Sequence, residues 1–255
     1  AIAEDRAAGR KPFLVIASAG TTNTGAVDPL DELADFCQRE DLWLHVDGAY
    51  GAPAMLTERG ERTLKGLQRV DSLALDAHKW LFQPIECGVV LVRERRWLSE
   101  TFKEQPEYLK DVEQDGDELN FMYQGVQLTR LWMSFKVFGL DAISRAIEAG
   151  FDNAELAEAL LRQAGCWEIV TPAQMAIVTF RYQPSGGDEE LANRVTHDLV
   201  GRLLEDGFAF ASGTQLGGKP VMRMCCNNPR TTPQDLQTTI NLMSELAAKL
   251  ELIYY

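Results

Sequence analysis

Leu73-Ala74-Leu75-Asp76-Ala77-His78-Lys79-Trp80 opens as an apolar run of strand length and closes on an acid, a histidine and a lysine. A lysine at the mouth of a buried strand is costly unless it is charged and paired, or serves as an amine nucleophile. Upstream, Trp43-Leu44-His45-Val46-Asp47-Gly48-Ala49-Tyr50 is a second apolar run that ends on an acid.

An acid able to pair a pyridinium nitrogen, followed by a lysine able to form a Schiff base with a carbonyl group, is the pattern pyridoxal phosphate asks for. A lone lysine after a strand is ordinary surface, and a lone Asp47 is an ordinary helix cap. Their occurrence together, with His78 beside the lysine, is what carries the reading.

The bulk numbers agree with a small-molecule role. The chain has 255 residues, 45% of them hydrophobic, which suits one large domain or two smaller ones. Its formal net charge of −13 repels nucleic acid and anionic membrane surfaces. No run approaches the roughly 18–20 apolar residues of a membrane helix. Ala1 to Lys11 mixes charges with alanines and has no apolar signal core. The five cysteines have no CxxC spacing and an odd count, so reduced thiols in a cytoplasmic protein are expected.

Outward from the two polar strand ends, the pattern is α/β. Phe13 to Ala19 reads as a continuous apolar strand, the kind covered on both faces in a parallel sheet. Asp28-Pro29 reads as an N-cap and first turn for a helix over 30–40. A strand over 42–47 follows, with residues 45, 47 and 49 on one face by the two-residue period. That βαβ unit predicts a parallel pair with a right-handed crossover. A helix over 58–68 and strands over 72–76 and 87–92 come next. Thr22, Asp47, Asp76 and Lys79 all end or follow strands, where ligands sit in open α/β sheets.

Residues 93–103 read as a helix, 105–120 as a loop, and 131–147 as a long helix with a bend or close packing point at Gly139. From Phe151 the texture changes. Helices over 151–163, 189–205 and 233–250 alternate with strands over 167–170, 176–182, 208–211 and 221–225. The last helix is capped by Thr231 or Thr232. Arg223, in an apolar strand, reads as a buried salt-bridge partner, and His197 as a solvated helix residue. The expected division is 1–150 and 151–255, the second part a compact α+β lobe.

Gly20-Thr21-Thr22, the 43–50 block, Asp76-Ala77-His78-Lys79-Trp80 and Glu107-Tyr108-Leu109-Lys110 occur in an order and at separations that closely resemble the pyridoxal-phosphate-dependent group II amino-acid decarboxylases. The resemblance runs over nearly the whole chain and includes Val221-Met222-Arg223 and Asn228-Pro229-Arg230-Thr231-Thr232. It implies the type I pyridoxal-phosphate fold. Residues 1–150 would then be the C-terminal portion of a cofactor-binding large domain with a mainly parallel sheet, and 151–255 the small domain.

The resemblance also implies roles. Lys79 matches the lysine that holds pyridoxal 5'-phosphate, and Asp47 the acid at its pyridine nitrogen. Thr22 matches a threonine near the ring's edge, and Ala49 the small residue against one ring face. His78 matches the histidine beside the phosphate. Asp76 sits where many members have asparagine, and a carboxylate there is repelled unless Lys79, His78 or a helix N-terminus offsets it. Tyr108 matches the loop tyrosine that protonates the α-carbon. His45, one strand period before Asp47, is placed to orient that acid from behind. No metal is implied.

The implied activity is decarboxylation of an L-amino acid, aromatic ones favoured, to an amine and carbon dioxide. The implied assembly is a homodimer with a shared active site. An aldehyde synthase, another carbon–carbon lyase on the same scaffold, and a non-catalytic fragment are the alternatives. Family members carry a ring-stacking histidine and a small-residue phosphate loop ahead of the strand matching 13–19, and this chain has neither.

Overall fold

A computed structural model of the chain describes residues 1–102 and 121–254. It groups them into two compact units, one of residues 1–20 and 27–143, the other of residues 21–26 and 144–255.

The first unit contains α1 (Ile2–Ala7), β1 (Leu14–Ser18), α2 (Leu30–Glu40), β2 (Trp43–Asp47), α3 (Glu58–Thr63), β3 (Ser72–Asp76), β4 (Gly88–Val92), α4 (Arg95–Phe102) and α5 (Phe121–Phe138). Its sheet runs β1-β2-β3-β4, with β1, β2 and β3 parallel and β4 antiparallel to β3. The amphipathic α2 buries Leu30, Ala34 and Cys37, and the sheet buries Ala17, Leu44 and Val46. Each such Leu or Val contributes about 1.5–3 kcal/mol by leaving water.

β1 departs from the two-sided burial expected of it. Ala17 is buried, but Ile16 is 65% exposed, because alternate residues face opposite sides and only Ala17's side is covered. Asp28 does not cap α2 either. Its Oδ2 accepts from the Ser18 amide at 2.7 Å, and Pro29 takes the cap position without a side-chain bond. The carboxylate satisfies a donor at the end of β1 instead.

The helix expected over 58–68 stops at Thr63, and a short 3-10 turn covers Leu67–Arg69. Gly66 breaks it with φ +98°, where a Cβ would lie 2.4 Å from the Asp31 amide nitrogen. Gly139 likewise has φ +76° and separates α5 from α6 (Leu140–Ala164). Left-handed backbone favours glycine and ends a helix there. The helices expected over 131–147 and 151–163 are therefore divided at 139, and α6 runs through Gly150 unbroken.

The second unit carries β5 (Trp167–Gln174), β6 (Ile177–Tyr182), α7 (Glu189–Asp206), β7 (Ser212–Leu216), β8 (Lys219–Cys225) and α8 (Pro233–Tyr254). Its antiparallel sheet has the order β5-β6-β8-β7. Phe180, Met222, Leu199, Ile240 and Met243 meet in one core, with Trp167 packed edge-on to Phe180 and Tyr182. The strand expected over 208–211 lies instead at 212–216. It turns into β8 through Gly217 and Gly218, whose φ values of +58° and +79° suit a two-residue hairpin turn. At α8, Thr232 Oγ1 accepts from the Asp235 amide and Asp235 Oδ2 from the Thr232 amide, a reciprocal cap. Arg223 donates to Asn23 O and Ser212 Oγ rather than to a carboxylate, which fastens the 21–26 turn within this unit.

Candidate active site

β2 and β3 are neighbouring parallel strands, and each ends on an acid. Their ends are clipped by main-chain bonds: Gly48 N donates to Ala74 O at 2.9 Å, and Asp76 N to Ala49 O at 3.1 Å. The Ala19 amide donates to Asp47 O at 2.8 Å, tying in the end of β1. These bonds hold the turn after Asp47 against the start of the 76–80 turn.

Asp47 is exposed at the end of β2, and its Oδ1 accepts from the Ala49 amide at 3.0 Å. The second oxygen makes no hydrogen bond among the described residues. Ala49 lies past the strand's last residue, so it reaches the site through this turn and not through the strand period. Gly48 between them is obligatory: a Cβ there would stand 2.5 Å from Ala52 Cβ and 2.9 Å from Leu73 Cδ1.

Lys79 follows β3 by three residues, its amide bonded to Asp76 O. Lys79 Nζ lies 2.9 Å from Asp76 Oδ2, and His78 Nε2 lies 3.9 Å from the same oxygen. Both side chains are partly exposed. The Cys87 amide donates to His78 Nδ1 at 3.1 Å, so the neutral ring carries its proton on Nε2 and offers a donor there. Trp80 is fully buried and stacks on Tyr50 with ring centroids 5.2 Å apart, anchoring the turn beneath the lysine.

His45 shares its strand face with Asp47, and its Nδ1 lies 2.8 Å from Ser72 Oγ. Trp43 Nε1 donates to the same oxygen at 2.8 Å. Sequence reading missed Ser72 and Trp43. Ser72 pairs with His45 across β2 and β3, a neighbourhood visible only once the register is known.

Asp47, Ala49, Asp76, His78 and Lys79 thus lie in the first unit at or just beyond the C-terminal ends of β2 and β3, while His45 sits in the middle of β2, opposite the first residue of β3. Thr22 is exposed in the turn over 21–26. Tyr108 lies outside the described residues.

A mainly parallel sheet that delivers an acid and a lysine beyond adjacent strand ends is the arrangement expected of type I pyridoxal-phosphate enzymes. Residues 1–183 match the family described as the pyridoxal-dependent decarboxylase conserved domain. The aromatic-L-amino-acid decarboxylase of Bacillus atrophaeus is 49% identical over 99% of this chain and 54% of its own length. Tryptophan decarboxylase 2 of Oryza sativa subsp. japonica is 31% identical over 98% of the chain and 52% of its own. The crystal structure of Oryza sativa TDC with PLP and tryptamine superposes with a TM-score of 0.87 at 28% identity, covering 97% of this chain and 53% of that one. The chain belongs to the pyridoxal-dependent decarboxylase family. It spans about half the length of the curated relatives it matches.

The donor set fits the cofactor of that family. It combines a primary amine for an aldehyde, a carboxylate with an uncommitted oxygen for a ring nitrogen, and an imidazole N–H for an anion.

Proposed function

We propose that this chain carries the amine and acid of a pyridoxal 5'-phosphate-dependent carboxy-lyase that converts an L-amino acid, aromatic ones favoured, to its amine and carbon dioxide. The observation that carries the reading is the placement of Lys79 and Asp47 beyond the ends of two adjacent parallel strands. The kinship to an aromatic-L-amino-acid decarboxylase supports the substrate class.

When bound, the cofactor supplies a sink for the electron pair left as carbon dioxide departs. Lys79 would hold the cofactor through its amine, which its 2.9 Å pair with Asp76 would first have to release. Asp47 holds a proton at the ring nitrogen. Ala49 would leave room along one ring face, and the His78 Nε2–H would be the donor for the phosphate. The Lys79 ammonium, 2.9 Å from Asp76, offsets the charge of that carboxylate beside the group His78 would bind. Thr22 keeps the role its resemblance gives it, at the ring's edge. Tyr108 delivers a proton to the substrate's α-carbon.

The same reading makes residues 1–150 a portion of the cofactor-binding large domain and 151–255 the small domain. It also implies a cytoplasmic homodimer.

The test is borohydride reduction of the chain with pyridoxal phosphate, then peptide mass spectrometry. A phosphopyridoxyl adduct is expected on Lys79 and absent in Lys79→Arg. An adduct on another lysine overturns the assignment. Incubation with a panel of L-amino acids should give amines, and Tyr108→Phe should divert product toward the aldehyde. Aldehyde from the unaltered enzyme would replace decarboxylation with oxidative deamination.

A further inference from the structure

We propose that Ser72 is a positioning residue whose buried hydroxyl, gripped by the Trp43 indole, fixes His45 in the tautomer that carries its proton on Nε2. Ser72 Oγ lies 2.8 Å from both Trp43 Nε1 and His45 Nδ1. An indole N–H only donates, so Trp43 fills one lone pair of the serine oxygen. The hydroxyl proton then has a single acceptor among the described residues, His45 Nδ1. Ser72 is only 8% exposed, so a proton left without a partner there costs its desolvation. The other tautomer would aim two N–H donors at one oxygen and strand the hydroxyl proton.

The sheet makes this relay possible. His45 and Ser72 are directly paired across β2 and β3, so their side chains rise from the same face. Trp43 and Asp47 stand on that face two residues before and two after His45. Trp43 is itself braced, its ring 4.5 Å from that of Trp97.

With Nδ1 engaged by Ser72, the neutral imidazole keeps its one N–H at Nε2. A donor, not a lone pair, then stands two residues before Asp47 on the same strand face, where its N–H dipole favours the charged carboxylate without a hydrogen bond to it. This functional consequence rests on the reading of Asp47 as the acid that pairs the cofactor's ring nitrogen; the tautomer itself does not.

The experiment is long-range proton–nitrogen NMR of the chain labelled with 15N-histidine. It contains three histidines, so the ring patterns are separable, with His45→Gln assigning the signal. The unaltered chain should show His45 with a bare Nδ1 and a protonated Nε2. Ser72→Ala should mix the tautomers, and Ser72→Thr, which keeps the hydroxyl, should restore the single form. If Ser72→Ala does not fold, Trp43→Phe supplies the same test by freeing the serine hydroxyl to rotate. A protonated Nδ1 in the unaltered chain, or an unchanged pattern in the folded variants, overturns the proposal.

Cofactor binding is the second readout. Ser72→Ala should weaken pyridoxal phosphate binding on the order of tenfold, with recovery in Ser72→Thr. Altered tautomers with unaltered affinity would refute the positioning role. Failure of the unaltered chain to bind the cofactor would instead remove the proposed function and leave the tautomer result standing.

Discussion

Lys79 and Asp76 form an ion pair 2.9 Å long, three residues apart, across the turn that follows β3. The amine proposed to hold the cofactor is thus tethered to a carboxylate. Replacing Asp76 with asparagine removes the tether and the negative charge beside the amine. Asp76→Asn is expected to form the Lys79 adduct several-fold faster, measured by borohydride trapping at timed intervals. Slower adduct formation would show that Asp76 assists capture.

Asp47 accepts the Ala49 amide through one oxygen, so asparagine can keep that bond while losing the charge. Asp47→Asn should therefore leave the fold intact and remove the group proposed to hold a proton at the ring nitrogen. Amine formation should fall by several orders of magnitude, with thermal unfolding of the chain unchanged. Near-normal turnover would place the acid elsewhere.

Gly48 has Ala52 and Leu73 too close for any side chain. Gly48→Ala is expected to destabilise the first unit by about 1–3 kcal/mol through overpacking. Urea unfolding checks this, and loss of cofactor binding should accompany it, because the turn it shifts joins Asp47 to Ala49. An alanine variant of unaltered stability would mean that this turn yields more readily than its close contacts imply.

Burial, with the adjacent Cys225 adding to it, pushes the Cys226 thiol from an ordinary 9.0 up to about 12. A folded-state value above the unfolded one gives a contribution that is whole below about pH 9. It is lost as pH rises toward 12, where the unfolded chain binds fewer protons. The Tyr182 phenol, raised by burial and its bond to Glu251, acts with the same sign at higher pH. Urea midpoints should fall between about pH 8 and pH 10.5, and Cys226→Ala should flatten part of that slope. An equal slope in the variant would assign the alkaline loss to other groups.

Asp47 and Lys79 stand out in the sequence because each closes an apolar run, and the structure leaves both at least partly open to solvent beyond the ends of adjacent strands. Their flanking strands were legible for the same reason. What escaped was whatever depends on pairing between distant residues. Ser72 looks like any strand-start serine until β3 is placed beside His45. Asp28 has the composition of a helix cap, but two sets of backbone donors compete for it and Ser18 wins. Phe208 and Phe210 resemble strand residues by type, yet the hairpin is set by Gly217 and Gly218, whose backbone freedom outweighs aromatic preference. Gly139 was readable as an irregularity; that it divides two helices follows from its φ, which residue type does not fix.

Because Gly48–Ala74 and Ala49–Asp76 are joined through main-chain atoms, the pitch between β2 and β3 is indifferent to which side chains surround it. Mutational drift in the neighbouring loops can remodel what is accepted at the mouth of the sheet while the amine and the acid keep their spacing. On the proposed function, selectivity and chemistry are, to that extent, separately adjustable.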